Sequence, residues 1–311
     1  MKKVFIDGSA GTTGLRIYER LSGRSDLQLI RLPEEVRKET SARKDAINSA
    51  DIVFLCLPDA AAVEAVGLCE NPDTVIIDTS TAHRVNDAFV YGFPELTGYR
   101  ERIAVSKRIA NPGCHASGFI SLVAPLVEKG LLSKDAKLSC FSLTGYSGGG
   151  KKMIAEYEEP ENAERLKAPR VYGLSQKHKH LPEMSKIAGL SSEPHFSPVV
   201  SSYYAGMEVL VPVFREDLSG TLSDIEKVYR EYYTGKLVRF APAMDENGFI
   251  SAGGFAGRDD MQVGVTGNDE RVLLVSRFDN LGKGASGAAI QNMNIVMGLE
   301  ECTGLNVEVE E

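Results

Sequence analysis

The amino-acid sequence predicts an α/β protein in two parts: a parallel-sheet domain, then an α+β domain with a mixed sheet. Three observations lead there. Strand-like and helix-like segments alternate through the first third of the chain, the apolar runs there are unbroken, and glycines cluster between the first strand and the first helix. Such alternation builds right-handed βαβ units. Unbroken apolar runs belong to strands covered on both faces.

Taken in order, "KKVFID" is a first strand, and "TTGLRIYERLSG" brings Leu15, Ile17, Tyr18 and Leu21 to one helical face. "LQLIRL" reads as a second strand. "DIVFLCLP" and "TVIIDTS" read as buried strands, with the helical "DAAAVEAVGLCE" between them. After Cys114 the character changes. "ASGFISLVAPLVEKG" is a helix closed by Gly130, and "KLSCFSLTGYS", "HFSPVVSSYYAGMEVLVPVF" and "RVLLVSRFDN" are strand-like with more alternation. Residues 157–170, "YEEPENAERLKAPR", are charged, carry two prolines and read as an exposed excursion. The closing "GAAIQNMNIVMGLEECTG" reads as an amphipathic helix, with Ile290, Met293 and Met297 at helical spacing, that returns to the first domain. The expected division is 1–112, a Rossmann-like nucleotide-binding domain; 113–281, the α+β domain; and 282–311, the returning C-terminal helix.

The 311 residues leave room for two domains of about 150 residues each. A formal net charge of −8 argues against general nucleic-acid binding, so an anionic ligand would need a local basic cluster. The five cysteines are scattered, without a CxxC pair or zinc-like spacing, as expected of reduced thiols in a cytosolic protein. "MKKVFIDGSAG" runs straight into a strand, and no apolar run approaches the ~18 residues of a membrane span. The expectation is a soluble, cytoplasmic protein.

"IDGSAGTTG" sets Gly8, Gly11 and Gly14 between strand and helix, a G-x-x-G-x-x-G pattern. Its physics is a tight turn, close backbone approach to a pyrophosphate, and free N–H groups at a helix start. A turn without a ligand is the competing reading. An acidic residue ending the second strand would suit NAD and a basic one NADP. "LQLIRLPEEVRK" puts Arg31 there, with Arg37 and Lys38 following and Glu34 and Glu35 competing. The reading is NADP.

"ANPGCHASGF" places Cys114 between a Pro-Gly turn and a run of small residues that starts a helix. Backbone N–H groups aimed at the sulfur favour a thiolate. Beside a nicotinamide, a thiolate suggests redox chemistry at the acyl level: the thiol captures an activated acyl group, and the thioester takes a hydride. The same N–H groups could stabilise the oxyanion. A small buried cysteine capping a turn is the alternative. Among His83, His115, His178, His180 and His195, the segment "QKHKHLPE" offers His178 and His180 as acid–base candidates, flanked by Lys177 and Lys179. On a strand, H-x-H would put both rings on one face. No third ligand has convincing spacing, so no metal site is predicted. A solvated loop is the bland reading of this segment. His115 adjoins the thiol, but its side chain is expected to diverge; His83 and His195 have no support. "TGYSGGGKK" reads as a loop against the nicotinamide or a phosphate, with Gly148 and Gly149 allowing close approach, or as a flexible hairpin.

Taken together, "VFIDGSAGTTGLRI", "YGFPEL", "ANPGCHASG", "GYSGGGKKM", "KHKHLPEM" and "NLGKGASGAAIQNMNIVMGLEECTGL" resemble the N-acetyl-γ-glutamyl-phosphate reductase family in its short (type 2) form, which shares a superfamily with aspartate-semialdehyde dehydrogenase. The resemblance covers nearly the whole chain. It implies NADPH-dependent reduction of N-acetyl-L-glutamyl 5-phosphate to the 5-semialdehyde, on the way to arginine. It implies Cys114 as nucleophile and His178 as acid–base, with His180 as the alternate. Gly8, Ala10, Gly11, Thr12, Thr13 and Gly14 match the family's pyrophosphate turn. Gly145 to Gly150 resembles its nicotinamide-side loop, and Lys283 to Gly287 leads the returning helix. It also implies a homodimer or homotetramer formed through the second, catalytic/dimerisation domain. "DTSTAHRV" departs from the longer family form: Ser80 and Arg84 align and the middle does not. His115 stands where many relatives carry Tyr.

Two other readings stay open. A sibling enzyme would apply the same thiol chemistry to β-aspartyl phosphate or to a carrier-bound intermediate of lysine or ornithine synthesis. A non-catalytic NADP-binding regulator would need neither Cys114, nor His178, nor the triple glycine. A substrate carboxylate wants an arginine, for which Arg84, Arg108 and Arg170 are unranked candidates. Phosphate is expected to leave toward Lys177 and Lys179.

Overall fold

The computed structural model describes residues 1–308 and divides into two units, Met1–Pro112 with Ala285–Leu305, and Gly113–Gly284 with 306–308. In the first unit β1 (Lys2–Asp7), α1 (Thr12–Leu21), β2 (Leu27–Ile30), α2 (Thr40–Ser49), β3 (Ile52–Leu55), α3 (Asp59–Leu68) and β4 (Val75–Asp78) alternate strand and helix. β5 (Val90–Tyr91), α4 (Tyr99–Val105) and β6 (Arg108–Ala110) follow. The six strands are all parallel, in the order β2-β1-β3-β4-β6-β5. The two-residue period of a strand sends alternate side chains into two cores. Val4, Ile6, Ile52, Phe54, Val75 and Ile77 pack with Ile17 and Leu21 of α1 and Ile103 of α4. Phe5, Val53, Leu55 and Ile76 pack with Ala46 and Ile47 of α2 and Ala62 and Ala65 of α3. Both faces are covered, which is why the strand sequences are apolar without a break. Truncating a side chain as buried as Phe54 to Ala costs about 3–5 kcal/mol.

The register also decides where a ligand can sit. Asp7, Leu55, Asp78 and Ala110 pair across β1, β3, β4 and β6. The segments that begin at Gly8, Cys56, Thr79 and Asn111 therefore all leave the carboxyl edge of the sheet, where open parallel sheets bind ligands.

The second unit contains α5 (Cys114–Glu128), β7 (Ser139–Gly145), α6 (Gly150–Glu158), α7 (Ala163–Leu166), β8 (Arg170–Val171), α8 (Leu181–Ala188), β9 (His195–Ser201), β10 (Met207–Phe214), α9 (Leu222–Tyr232), β11 (Val238–Phe240), β12 (Met261–Gly267) and β13 (Arg271–Phe278). Its seven-stranded sheet, ordered β11-β12-β13-β10-β7-β9-β8, is mixed: β7/β9 and β11/β12 are parallel and the other pairs antiparallel. α5 packs on β10 and β13. α9 is opened by a Thr221–Asp224 capping box, and its Tyr229 hydroxyl donates to the Leu122 carbonyl of α5 at 2.6 Å. Residues 157–170 are mostly exposed and largely helical, and Leu166 alone among them is buried.

α10 (Gly287–Val296) belongs to the first unit and corrects the reading of an amphipathic helix. Ile290 and Met293 enter the same core as α1 and α4, but Gly287 through Ile295 are all buried, so α10 has no wet face. Its amides donate inside, Asn292 to the Gly92 carbonyl at 3.0 Å, Gln291 to Glu95 at 2.8 Å and Asn294 to the Glu301 carbonyl at 2.9 Å, while Asn292 Oδ1 is buried without a partner among the described residues. The helix stops at Val296, and Gly298 turns the chain with φ +68°. No described helix is long and apolar enough to cross a membrane.

Candidate active site

In the first unit the glycine turn is built by close contact. Gly8 has φ +86°, and a Cβ there would stand 2.3 Å from the Cys56 carbonyl oxygen; one on Gly14 would stand 2.5 Å from the Gly8 carbonyl oxygen. The Gly11 N–H closes the turn on the Gly8 carbonyl at 2.9 Å. Only glycine fits at the first and last of these positions. No side chain caps the start of α1, and the Thr12 hydroxyl is buried without a hydrogen-bond partner among the described residues. A backbone cradle that a Cβ would fill, an open helix start and an orphan hydroxyl fit the pyrophosphate of a dinucleotide.

Beside this turn lies a cavity of about 610 Å³, lined by Gly8, Ser9 and Ala10 on one side and by Arg31, Arg37 and Lys38 on another. Arg31 follows β2, and its guanidinium lies 4.2 Å over the Tyr18 ring. Arg37 pairs at 2.5 Å with Glu34, one of the two acids that competed for the site in the sequence. Arg43 was missed by the sequence reading. It is buried in the cavity wall, its Nε 3.0 Å from the Asp7 carboxylate, whose pKa burial pushes up against the pull of Arg43. The only clue in the sequence was a charged residue, Asp7, ending an otherwise apolar strand.

The segment after β4 is held from within. The Ser80 hydroxyl and N–H donate to the two oxygens of Asp78 at 2.7 and 2.9 Å. His83, for which the sequence offered no role, places Nδ1 2.6 Å from Asp78 and stacks its ring on Phe89. Arg84 donates to the carbonyls of Thr79 and Asn111, at 3.0 Å each. Ser80 and Arg84 are thus fixed at the carboxyl edge. Arg108 is not there: it begins β6 at the opposite edge and donates to the Thr74 carbonyl, which removes it as a substrate ligand. Arg170, in the second unit, donates to the Tyr157 hydroxyl at 2.9 Å.

In the second unit Cys114 is the first residue of α5, half-buried, after Gly113 at the N-cap. The first intrahelical bond, Ser117 N–H to the Gly113 carbonyl at 2.8 Å, leaves the first-turn N–H groups directed around the Cys114 end. A Cβ on Gly284 would come within 3.0 Å of the Cys114 Cβ, so that glycine makes room for the thiol. The other cysteines differ. Burial pushes the Cys56 thiol up to about 12 and raises that of Cys140 as well, so both are kept protonated.

His178 and His180 do not lie on a strand. They occupy the turn that leads into α8, with His180 buried directly before the helix and His178 half-buried. The His180 N–H donates to His178 Nδ1 at 3.2 Å, and the two rings are 4.7 Å apart. Glu183, buried on α8, accepts the Gly113 N–H at 3.2 Å and stands 3.9 Å from His180 Nε2, clamping the start of α8 to the start of α5. His115, expected to diverge from Cys114, turns its ring to these two histidines. Its ring lies 5.7 Å from that of His178 and 5.5 Å from that of His180, and its nitrogens meet the Ser142 and Tyr172 hydroxyls at 2.6 Å each. Burial, with His178 adding to it, pushes His115 down to about 3. Burial and the charge of Cys114 push the Tyr172 phenol up. The residue that follows Cys114 on α5 is thereby in one cluster with Tyr172, His178 and His180. Tyr172 was missed because its partners are far away in sequence.

Gly148 and Gly149 are exposed in a short 3-10 turn into α6, not in a hairpin. The turn is tied by Ser147, whose N–H donates to the Tyr204 carbonyl at 3.0 Å and whose hydroxyl accepts from Asn280 at 3.0 Å. Lys177 and Lys179 are exposed. Among the described residues, no three His, Cys, Asp or Glu side chains converge as a metal site would require.

Residues 29–106 match the family described as semialdehyde dehydrogenase, NAD binding domain, and residues 114–280 match semialdehyde dehydrogenase, dimerisation domain. The chain is 47% identical over 306 residues to an N-acetyl-γ-glutamyl-phosphate reductase of Brucella anthropi, covering 95% of this chain and 98% of that one. It is 46% identical to the protein of the same name from Brucella suis, covering 95% and 99%. Its fold is similar to that of aspartate semialdehyde dehydrogenase II of Vibrio cholerae, with a TM-score of 0.70 at 18% identity over 96% of this chain and 99% of that one. It is also similar to the aspartate semialdehyde dehydrogenase of Candida albicans solved with NADP, with a TM-score of 0.69 at 16% identity over 96% and 98%.

Proposed function

Because the chain belongs to the N-acetyl-γ-glutamyl-phosphate reductase family, we propose that it reduces N-acetyl-L-glutamyl 5-phosphate to N-acetyl-L-glutamate 5-semialdehyde with NADPH, a reductive step toward arginine. The observation that carries this reading is 47% identity over nearly the full length of both chains. The solved aspartate semialdehyde dehydrogenases, at 16–18% identity, support the fold and do not favour the sibling substrate.

The Cys114 thiolate attacks the acyl carbon, and the tetrahedral oxyanion is stabilised by the first-turn N–H groups of α5. Collapse breaks the bond to the phosphate oxygen and leaves a thioester on Cys114. NADPH, held in the first unit's cradle, would supply the hydride that reduces the thioester carbon. The thiohemiacetal oxyanion then expels Cys114 as thiolate and releases the aldehyde. Overall the reaction takes up one proton, and the departing phosphate oxygen is where it is needed. His178 is the acid that supplies it: half-buried, it exchanges protons with solvent. In the neutral ring Nδ1 accepts from the His180 N–H, so donation to the phosphate oxygen requires a second ring proton, taken from solvent. Lys177 and Lys179 offer positive charge for the leaving phosphate.

For the cofactor, the cradle of Gly8, Ala10, Gly11, Thr12, Thr13 and Gly14 takes the pyrophosphate, and Arg31, Arg37 and Lys38 take the 2′-phosphate. Ser80, Gly148 and Gly149 are assigned to the nicotinamide side. A homo-oligomer formed through the outer face of the seven-stranded sheet is supported by the dimerisation-domain match and by Phe141 and Phe214, 46% and 60% exposed there. A reducing cytoplasm suits five cysteines none of which forms a disulfide.

The test runs the reaction backwards, because acyl phosphates hydrolyse readily. Protein, N-acetylglutamate semialdehyde, phosphate and NADP⁺ are mixed, and NADPH absorbance is followed for wild type and Cys114→Ala. Phosphate-dependent NADPH formation that vanishes in the variant is expected. Equal rates in both would sink the thioester route, and turnover of aspartate semialdehyde alone would move the substrate to the sibling enzyme.

A further inference from the structure

The pair of hydrogen bonds on His115 fixes more than the ring. Ser142, fully buried on β7, meets His115 Nδ1 at 2.6 Å, and among the described residues its hydroxyl has no other hydrogen-bond partner. Were the imidazole proton on Nδ1, it would donate to Ser142, and the Ser142 O–H would be left buried with nothing to accept it. That penalty disfavours the arrangement by about tenfold or more. With the Ser142 O–H donating to Nδ1, the ring carries its proton on Nε2 and donates it to the Tyr172 oxygen at 2.6 Å. The Tyr172 O–H then has to point away from His115. Tyr172 is half-buried, packs edge-on to His178 with ring centroids 6.0 Å apart, and bonds at 2.6 Å to His115, the residue directly after Cys114 at the start of α5.

We propose that Ser142 and His115 are positioning residues that order the protons of a Ser142–His115–Tyr172 chain, so that the Tyr172 hydroxyl is held as a hydrogen-bond donor toward the reacting centre at Cys114. This inference rests on the thioester reading above and adds a side-chain donor to it, beside the first-turn N–H groups of α5. A buried imidazole held neutral keeps the order fixed, because it takes no second proton at working pH. The phenol, in turn, keeps the proton it has to offer.

Two measurements decide it. In protein labelled with ¹⁵N-histidine, long-range ¹H–¹⁵N spectra report the tautomer of each ring, with His115 assigned by its absence from His115→Gln. The Nε2–H tautomer is expected for His115; the Nδ1–H tautomer overturns the proposal, whether or not the semialdehyde is turned over. In kinetics, Tyr172→Phe and His115→Phe should each lower kcat about 10- to 100-fold with little change in KM, and the double variant should be no slower than the worse single one. His115→Gln, which keeps an N–H donor facing Tyr172, should recover part of the loss. Losses that multiply in the double variant, or a Tyr172→Phe enzyme with wild-type kcat, overturn it.

Discussion

Lowering the pH should destabilise the second unit through one imidazole. His115 is pushed down to about 3 by burial and by His178, against 6.5 for an ordinary histidine. Its folded pKa is depressed, so below 6.5 the unfolded chain binds a proton that the folded chain refuses. The stability it contributes is complete above that value and is lost as pH falls from 6.5 to 3. The interval is worth about 5 kcal/mol in all, at about 1.4 kcal/mol per pH unit. At pH 5 the wild type should already have lost about 2 kcal/mol on this account, a large share of a typical domain's 5–15 kcal/mol. The control is His115→Gln, which cannot titrate. The chain has no tryptophan, so urea unfolding is best followed by far-UV circular dichroism, at pH 7, 6, 5 and 4.5. The variant should be less stable than wild type at pH 7, and the gap should close by about 1.4 kcal/mol per unit below pH 6, all other titrations cancelling in the difference. Parallel stability curves would show that the ring takes up its proton as readily folded as unfolded, and the linkage argument would be wrong.

Three other outcomes are expected. Gly284→Ala puts a methyl 3.0 Å from the Cys114 Cβ and 3.1 Å from the Asp279 carbonyl oxygen; kcat should fall at least about tenfold while NADP binding to the first unit, measured by calorimetry, is unchanged. Arg31→Ala should weaken NADPH binding about tenfold and leave NADH binding as it was, with equal losses for both refuting the 2′-phosphate assignment. Glu208 is pushed up to about 7 by burial, with Arg277 pulling the other way. Ionising it opposes folding, so stability is lost as pH rises from 4.5 through 7, by up to about 3 kcal/mol, and Glu208→Gln should flatten that limb of the denaturation profile.

What the sequence by itself determined was set by short-range physics. The unbroken runs at Val4–Ile6, Ile52–Leu55 and Val75–Ile77 specify strands covered on two faces, because a period of two leaves no face for water. Gly8 and Gly14 announce a turn that no Cβ can enter, and "NPGC" puts a thiol at a helix start, since both depend on backbone within a few residues. The tertiary structure alone decided the rest. "GAAIQNMNIV" has helical spacing, yet only packing between the sheet and other helices explains why its amides are buried, for their partners Gly92 and Glu95 lie about two hundred residues away. "KHKH" was consistent with a strand until α8 began directly after His180. His115 passed for a bystander of Cys114 because the groups that define it, Ser142 and Tyr172, come from β7 and from the segment after β8. A hydrogen-bonded proton order is a property of atoms that meet at 2.6 Å, and no periodicity along the chain encodes which hydroxyls will meet a given ring.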